Sequence, residues 1–167
     1  MVTLEPASMA DAIPAYRIID DARNFQREQG FVQWTAEYPN LDTIRADVLA
    51  GRGYVLRADG LLAGYLCVDF GGEPTYGGIR GAWGTAEPYA VVHRMGLHRA
   101  FRGVGLADTA LELTARLCLS RNVRSLRADT DPSNGRMQHI LEKNGFVRRG
   151  VVLFQGGERL AYDKTLR

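Results

Sequence analysis

The segment HRMGLHRAFRGVGLADTALEL, residues 93–113, decides how the rest of the chain is read. An apolar run breaks into arginines, passes Gly103 and Gly105, and becomes a stretch with apolar residues at 106, 110, 113 and 117. That spacing is one face of a helix, so the segment reads strand, turn, helix. The first amides of a helix have no intrahelical partner, and bare glycine backbone there suits an anion. A mononucleotide loop of the G-x-x-x-x-G-K-[ST] type is excluded, because no Lys-Ser or Lys-Thr opens the helix. A dinucleotide G-x-G-x-x-G turn is excluded as well, because Asp108 occupies the third glycine position. Two readings remain. The amides of Arg102-Gly103-Val104-Gly105-Leu106-Ala107 cradle a pyrophosphate, or the glycines only permit a sharp turn and the arginines are solvated.

The surroundings narrow the class of protein. At 167 residues the chain suits one domain, 1–167. Its 46% hydrophobic and 24% charged content is that of a globular protein. No run of eighteen apolar residues is present, so no membrane partner is expected. MVTLEPASMADAIP is acidic where a signal peptide is basic and apolar, which points to a cytoplasmic protein. Cys67 and Cys118 stand alone in apolar runs and read as buried thiols, with no metal site. Residues 94–127 hold seven arginines against Asp108 and Glu112, a local +5 in a chain of net +2. Such a patch attracts phosphate groups. It lacks the interleaved aromatics and helix-turn-helix pattern of a nucleic-acid binder, so no nucleic-acid partner is expected.

Elements alternate along the chain. A strand is expected at 2–5, a helix from Asp11 to about residue 28, and a second helix over 42–50 capped by Asp42. GYVLRADGLLAGYLCVDF, residues 53–70, is a hairpin about Asp59-Gly60. EPYAVVHRMGL is a strand, 106–120 a helix, VRSLRADT a strand, and Asn134–Asn144 a short helix stopped by Gly145. Strands near 146–154 and 158–165 close the chain, and the last is an edge on which a homodimer could pair. The order implies an α/β domain with a mixed sheet flanked by helices. Residues 71–88, GGEPTYGGIRGAWGTAEP, carry six glycines and no period. A loop this long is a lid, a binding loop or disorder, unless it packs down as a long hairpin connection.

R-x-x-G-x-[GA] after HRMGLH resembles the acyl-CoA motif of the GNAT family of N-acetyltransferases. DTDPSNGRMQHILEKNGF, residues 129–146, resembles that family's second signature, and the element order matches over essentially the whole chain. QWTAEYP, YAVVHRMGL, NGRMQHILEKNGF and ERLAYDK are similar to a group of bacterial acetyltransferases. The resemblance implies a mostly antiparallel sheet that splays at an acyl-CoA site. It implies acetyl-CoA as co-substrate, with pyrophosphate on the amides of Arg102, Gly103, Val104, Gly105, Leu106 and Ala107. Pantetheine would then add like a strand along Met95, Gly96 and Leu97. Asn134 matches an asparagine that contacts the cofactor, though an N-cap role would satisfy it equally. Arg99 and Lys143 are candidates for the nucleotide 3′-phosphate.

The implied reaction moves an acetyl group directly to a primary amine of a small molecule or peptide within a ternary complex. An aliphatic ammonium of pKa about 10.4 must first lose a proton. His93 is the leading base, since alternation puts Tyr89, Val91, His93, Met95 and Leu97 on one strand face. Glu87 is the reserve and Asp129 the third candidate. The Gly96–Leu97 backbone, with Leu97 as donor, would bind the developing oxyanion. Many relatives place a tyrosine as acid in the second signature, where this chain has Leu141. Tyr162, Tyr89 or Tyr76 would substitute, or the thiolate leaves unaided. For the acceptor, Trp34, Tyr76 and Trp83, with Phe31 and Tyr38, could form an aromatic wall, and Glu37 and Glu73 could attract a cation. A non-catalytic acyl-CoA-binding module is the alternative.

Overall fold

A computed structural model describes residues 1–154 and 156–167. The chain falls into two compact units, Met1–Val68 with Arg94–Leu113, and Asp69–His93 with Thr114–Arg167. The described residues make an α/β fold with an open mixed sheet of eight strands flanked by helices.

In the first unit, β1 (Val2–Pro6), β2 (Gly53–Ala58) and β3 (Leu61–Asp69) form an antiparallel meander. Asp59 and Gly60 both take positive φ, 50° and 83°, which is the mirror-image turn that suits the strand twist. Helix α1 (Ala12–Glu28) buries Ala12, Ala15, Ile18 and Ile19 at helical spacing. Ala12, Ala15 and Ile19 meet Ile44, Trp34, Val55 and Tyr65 in one core cluster. Helix α2 spans Leu41–Leu49, and its cap is Asn40 rather than Asp42. The Asn40 Oδ1 accepts the Thr43 amide at 2.9 Å while Thr43 Oγ1 accepts the Asn40 amide at 3.1 Å. That reciprocal pair fixes the start one residue earlier than expected and leaves Asp42 as a first-turn acid. Asp11 stands at the start of α1 without capping it; its carboxylate bonds Ser8 and Arg57 instead.

The second unit holds the first half of β5 (Tyr89–Leu97) with β6 (Ser125–Thr130), β8 (Gly157–Thr165), β7 (Val147–Phe154) and the two-residue β4 (Arg80–Gly81). β5 and β6 run parallel from Tyr89↔Ser125 to Val91↔Arg127. β6–β8, β7–β8 and β4–β7 are antiparallel. The last strand is therefore not an edge: β8 is paired on both sides, with Leu160, Ala161 and Tyr162 no more than 5% exposed. Helices α3 (Leu106–Ser120) and α4 (Gly135–Lys143) complete the elements.

Residues 71–88 resolve to the packed-down alternative. They form a 3-10 turn, Pro74–Gly78, and then β4. Tyr76, 1% exposed, joins Val91, Val152 and Ala161 in a core cluster, with Trp83 and Tyr89 packed against it. Cys67 and Cys118 are buried free thiols, and burial pushes Cys118 up to about 11.

Candidate active site

In the first unit, β5 leads through a 3-10 turn, Arg99–Phe101, into the glycine turn. Gly103 and Gly105 have φ of 79° and 81°, a region that side-chain-bearing residues rarely occupy. After them, the Thr109 amide donates to the Gly105 carbonyl at 3.2 Å as α3 begins. The Leu106 and Ala107 amides precede Thr109, at the positive end of the helix dipole. Gly103, Val104 and Gly105 are exposed, and a Cβ built at Gly103 would meet nothing within 4 Å. The turn thus presents glycine backbone in open space. Arg102 differs, since its amide donates to the Arg99 carbonyl at 3.2 Å.

Several arginines of this region are engaged within the fold. Arg99 and Arg102 both pair with Asp21, and Arg102 also lies 4.1 Å over the Phe25 ring. The Arg99 hydrogen bond, acting against partial burial, holds Asp21 below the usual carboxylate range. Arg127 is inserted between Trp83 and Tyr89, its guanidinium carbon 4.2 and 3.7 Å from the ring centres. Arg99, Arg102 and Arg127 are thus partnered within the fold, while Arg116, Arg121 and Arg124 are exposed.

Arg94, in the middle of β5, has φ of 51°. A non-glycine residue at positive φ inside a strand is held there by its surroundings. Its Nε and Nη2 donate to both Asp47 carboxylate oxygens, at 3.0 and 2.6 Å, and Nη1 donates to the Tyr38 hydroxyl at 2.7 Å. Asp47, fully buried on α2, also accepts from Arg52 Nε at 2.8 Å and from the Tyr65 hydroxyl. Burial alone would raise the Asp47 carboxyl, but Arg94, Tyr65 and Arg52 outweigh it and hold it low. Two residues on, a Cβ at Gly96 would come within 2.9 Å of Ile19 Cδ1, so this strand lies tight against α1. Met95 and Leu97 are half-buried beside it.

In the second unit, His93 Nε2 lies 3.5 Å from Glu73 Oε2, both side chains about one-seventh exposed (13% and 15%). Asp129 on β6 accepts the Tyr76 hydroxyl at 2.6 Å. Burial raises the Asp129 carboxyl despite that bond and the nearby His93 and Arg159. Glu87 is exposed, its amide bonded to Thr85 Oγ1 at 3.1 Å. Trp83 donates from Nε1 to the Tyr76 carbonyl at 3.0 Å. Among the described residues, no group of three His, Cys, Asp or Glu could hold a metal ion, and no helix is long and apolar enough to cross a membrane.

A family model described as Acetyltransferase (GNAT) family matches residues 19–146. The chain belongs to the GNAT acetyltransferase family. A crystal structure of a GNAT-family acetyltransferase from Streptococcus agalactiae 2603 is 34% identical, with a TM-score of 0.91 over 99% of this chain and 96% of that one. A GNAT-family acetyltransferase from Listeria monocytogenes 4b F2365 is 20% identical at TM-score 0.78, covering 99% and 95%. The aminoglycoside acetyltransferase AAC(6′)-Ib, crystallised with coenzyme A and kanamycin, is 24% identical at TM-score 0.73, covering 99% and 95%. The last two show the shared fold. A search of curated proteins finds no match.

The remaining sequence-derived residues of this GNAT chain occupy mixed settings. Asn134 is the N-cap of α4, its Oδ1 accepting the Met137 amide at 3.0 Å. Lys143 is exposed at the end of α4. Trp34 is 8% exposed within the first core cluster, and Tyr76 and Trp83 are engaged as described. Leu141 is 2% exposed and packs as core. Tyr162 is fully buried, its hydroxyl 3.4 Å from Glu142 Oε1. Asp47 and Arg94 carried no functional signal in sequence, and Glu73 registered only as a charge. Each has a partner far along the chain: Tyr89 lies 16 positions from Glu73, and Asp47 lies 47 from Arg94.

Proposed function

We propose that this chain acts as a single acetyltransferase domain, moving an acetyl group from acetyl-CoA to a primary amine of a small molecule or peptide by direct transfer. The observation that carries this reading is the turn at residues 103–107, where two left-handed glycines leave open backbone at the start of α3. The residues fit the cofactor. The amides of Gly103, Val104, Gly105, Leu106 and Ala107 would hold the pyrophosphate, and the backbone of Met95, Gly96 and Leu97 the pantetheine arm. Acetyl-CoA supplies a thioester, an acyl group already activated toward an amine. Arg102 keeps its amide for Arg99 and contributes through the turn's shape. The tight seat of Gly96 on Ile19 fixes the backbone of that segment, as a preorganised donor for an oxyanion requires. His93 takes the ammonium proton; a half-buried imidazole is suited to that near neutral pH. The AAC(6′)-Ib structure, with an amine-bearing acceptor and coenzyme A, supports an amine acceptor on this fold.

Leu141 favours one second reading, an acyl-CoA-binding module without turnover, because a buried leucine cannot protonate a leaving thiolate. Thiol release from acetyl-CoA against a panel of primary amines separates the two. We expect turnover in the wild type, and a fall of about 10²–10⁴-fold in His93→Ala with cofactor binding retained. Saturating acetyl-CoA at ~100-fold over Kd should raise Tm by roughly 5–11 °C, and Gly105→Glu should abolish that rise. Binding without turnover across the panel would establish the module instead.

A further inference from the structure

We propose that Glu73 is a positioning residue that orients His93 and sets its affinity for a proton, so that the glycine-rich loop serves to place one carboxylate against the base. This rests on His93 being the base. Glu73 caps the 3-10 turn Pro74–Gly78, and its carboxylate is divided between two tasks. Oε1 accepts the Thr75 amide at 3.2 Å and the Thr75 hydroxyl at 3.1 Å. Oε2 faces His93 Nε2 at 3.5 Å. The Glu73 amide donates to the Tyr89 hydroxyl at 3.2 Å, which pins the backbone to the strand that carries His93. One oxygen is thus tied down by Thr75, and the rotation that would carry the other away from the imidazole is restrained.

The loop is built to hold that placement. Tyr76 is anchored in the core, and Trp83 packs against it with ring centroids 4.9 Å apart and planes tilted by 41°. The Gly84 amide donates to the buried Asp163, and Arg127 Nη2 donates to the Thr85 carbonyl at 3.0 Å. A segment anchored this heavily does not act as a lid. The gap of 3.5 Å exceeds the ~2.7–2.9 Å of a charge-assisted bond, and catalytic hydrogen bonds commonly tighten only when substrate is present.

The other charges about His93 do not supply the same restraint. Asp129 on β6 is the second carboxylate, but it is bonded to Tyr76 and burial favours its neutral form. Arg159 on β8 acts on Asp129 and pairs with Asp131 at 3.6 Å. The Tyr76 hydroxyl is given to Asp129, and the Tyr89 hydroxyl accepts the Glu73 amide. Arg94, next along β5, turns its guanidinium to Asp47.

The test is a carbon-detected NMR titration of the imidazoles, with the His93 signal assigned by its loss in His93→Ala, run beside the pH profile of kcat/KM. Removing an opposite charge at this range should lower the His93 pKa by about one unit. In Glu73→Gln the His93 titration and the acid limb of kcat/KM should move down together by that amount. Glu73→Asp keeps the charge and should recover part of the shift, and Asp129→Asn should move His93 less than Glu73→Gln does. An unchanged His93 titration in folded Glu73→Gln overturns the proposal, as does a larger shift in Asp129→Asn. A titration that moves as expected while His93→Ala keeps full turnover removes His93 from the reaction, which is failure of the underlying reading and not of the coupling.

Discussion

Asp47 on α2 and Asp129 on β6 are both withdrawn from solvent, yet they are partnered in different ways. Asp47 receives two arginines and a tyrosine hydroxyl, and both of its oxygens are engaged by Arg94. Asp129 accepts one neutral hydroxyl, from Tyr76, with His93 and Arg159 acting only at longer range. The first arrangement favours the ionised carboxylate so strongly that burial is overcome, and the second leaves burial in control. A carboxylate saturated with cations is a fastener. One left with a single neutral donor is governed by its burial instead.

The strongest way to break this contrast is to remove the fastener. Asp47→Ala strands Arg94 and Arg52 and should cost about 3–5 kcal/mol in urea unfolding, with Tm falling by roughly 6–20 °C. A loss under about 1 kcal/mol would mean that Arg94 finds other partners and that its strained backbone needs no clamp. Tyr76→Phe keeps the ring in the core but leaves the half-buried Asp129 without its donor, for an expected loss of about 1–3 kcal/mol.

The pH dependence sharpens the comparison, because the two signs are opposite. Folding lowers the Asp47 pKa, so its stabilisation is present above the unfolded value near 3.8 and is lost as pH falls through the folded value. Folding raises the Asp129 pKa, so its contribution is fully present below that unfolded value and is lost as pH rises through the folded one. Each unit of such a shift is worth about 1.4 kcal/mol. In unfolding free energies measured from pH 3 to 8, Asp129→Asn should flatten the decline above about pH 4 and leave the acid limb intact. The smallest effect belongs to an exposed pair, Arg80 with Glu158, whose side chains are 64% and 56% exposed. Glu158→Gln should change stability by no more than about 0.5 kcal/mol, which calibrates the Asp47 and Asp129 cases.

What could be read from sequence was what short-range chemistry decides. The Asp59-Gly60 hairpin, the bounds of α3 and the Asn134 cap each follow from neighbours a few residues apart. The α2 cap expected at Asp42 lies two positions early, at Asn40, because the reciprocal bond with Thr43 decides the start. β4 was invisible because two residues carry no period, and its pairing partner β7 lies about seventy positions later. The even alternation expected along Tyr89–Leu97 missed the left-handed Arg94, a conformation imposed by Asp47 rather than by local preference. The last strand was placed at an edge because strand order in a sheet is a long-range property. In the candidate site, the strand–turn–helix about the glycines was legible from spacing, its use being left open, whereas Glu73 beside His93 was not legible. They lie twenty positions apart, and the burial of Tyr76 together with the Glu73–Tyr89 bond brings Glu73 back.

The loop at 71–88 also sets terms for anyone who would transplant it. Its conformation is written partly in other segments: Arg127 and Asp129 on β6, Arg149 on β7, and Asp163 on β8, where Arg149 Nε and the Gly84 amide share one carboxylate. A chimaera that exchanges these eighteen residues alone would therefore inherit the letters without their grammar. The transferable module is the loop together with those four positions, and swapping at that larger boundary is the way to carry its chemistry between relatives.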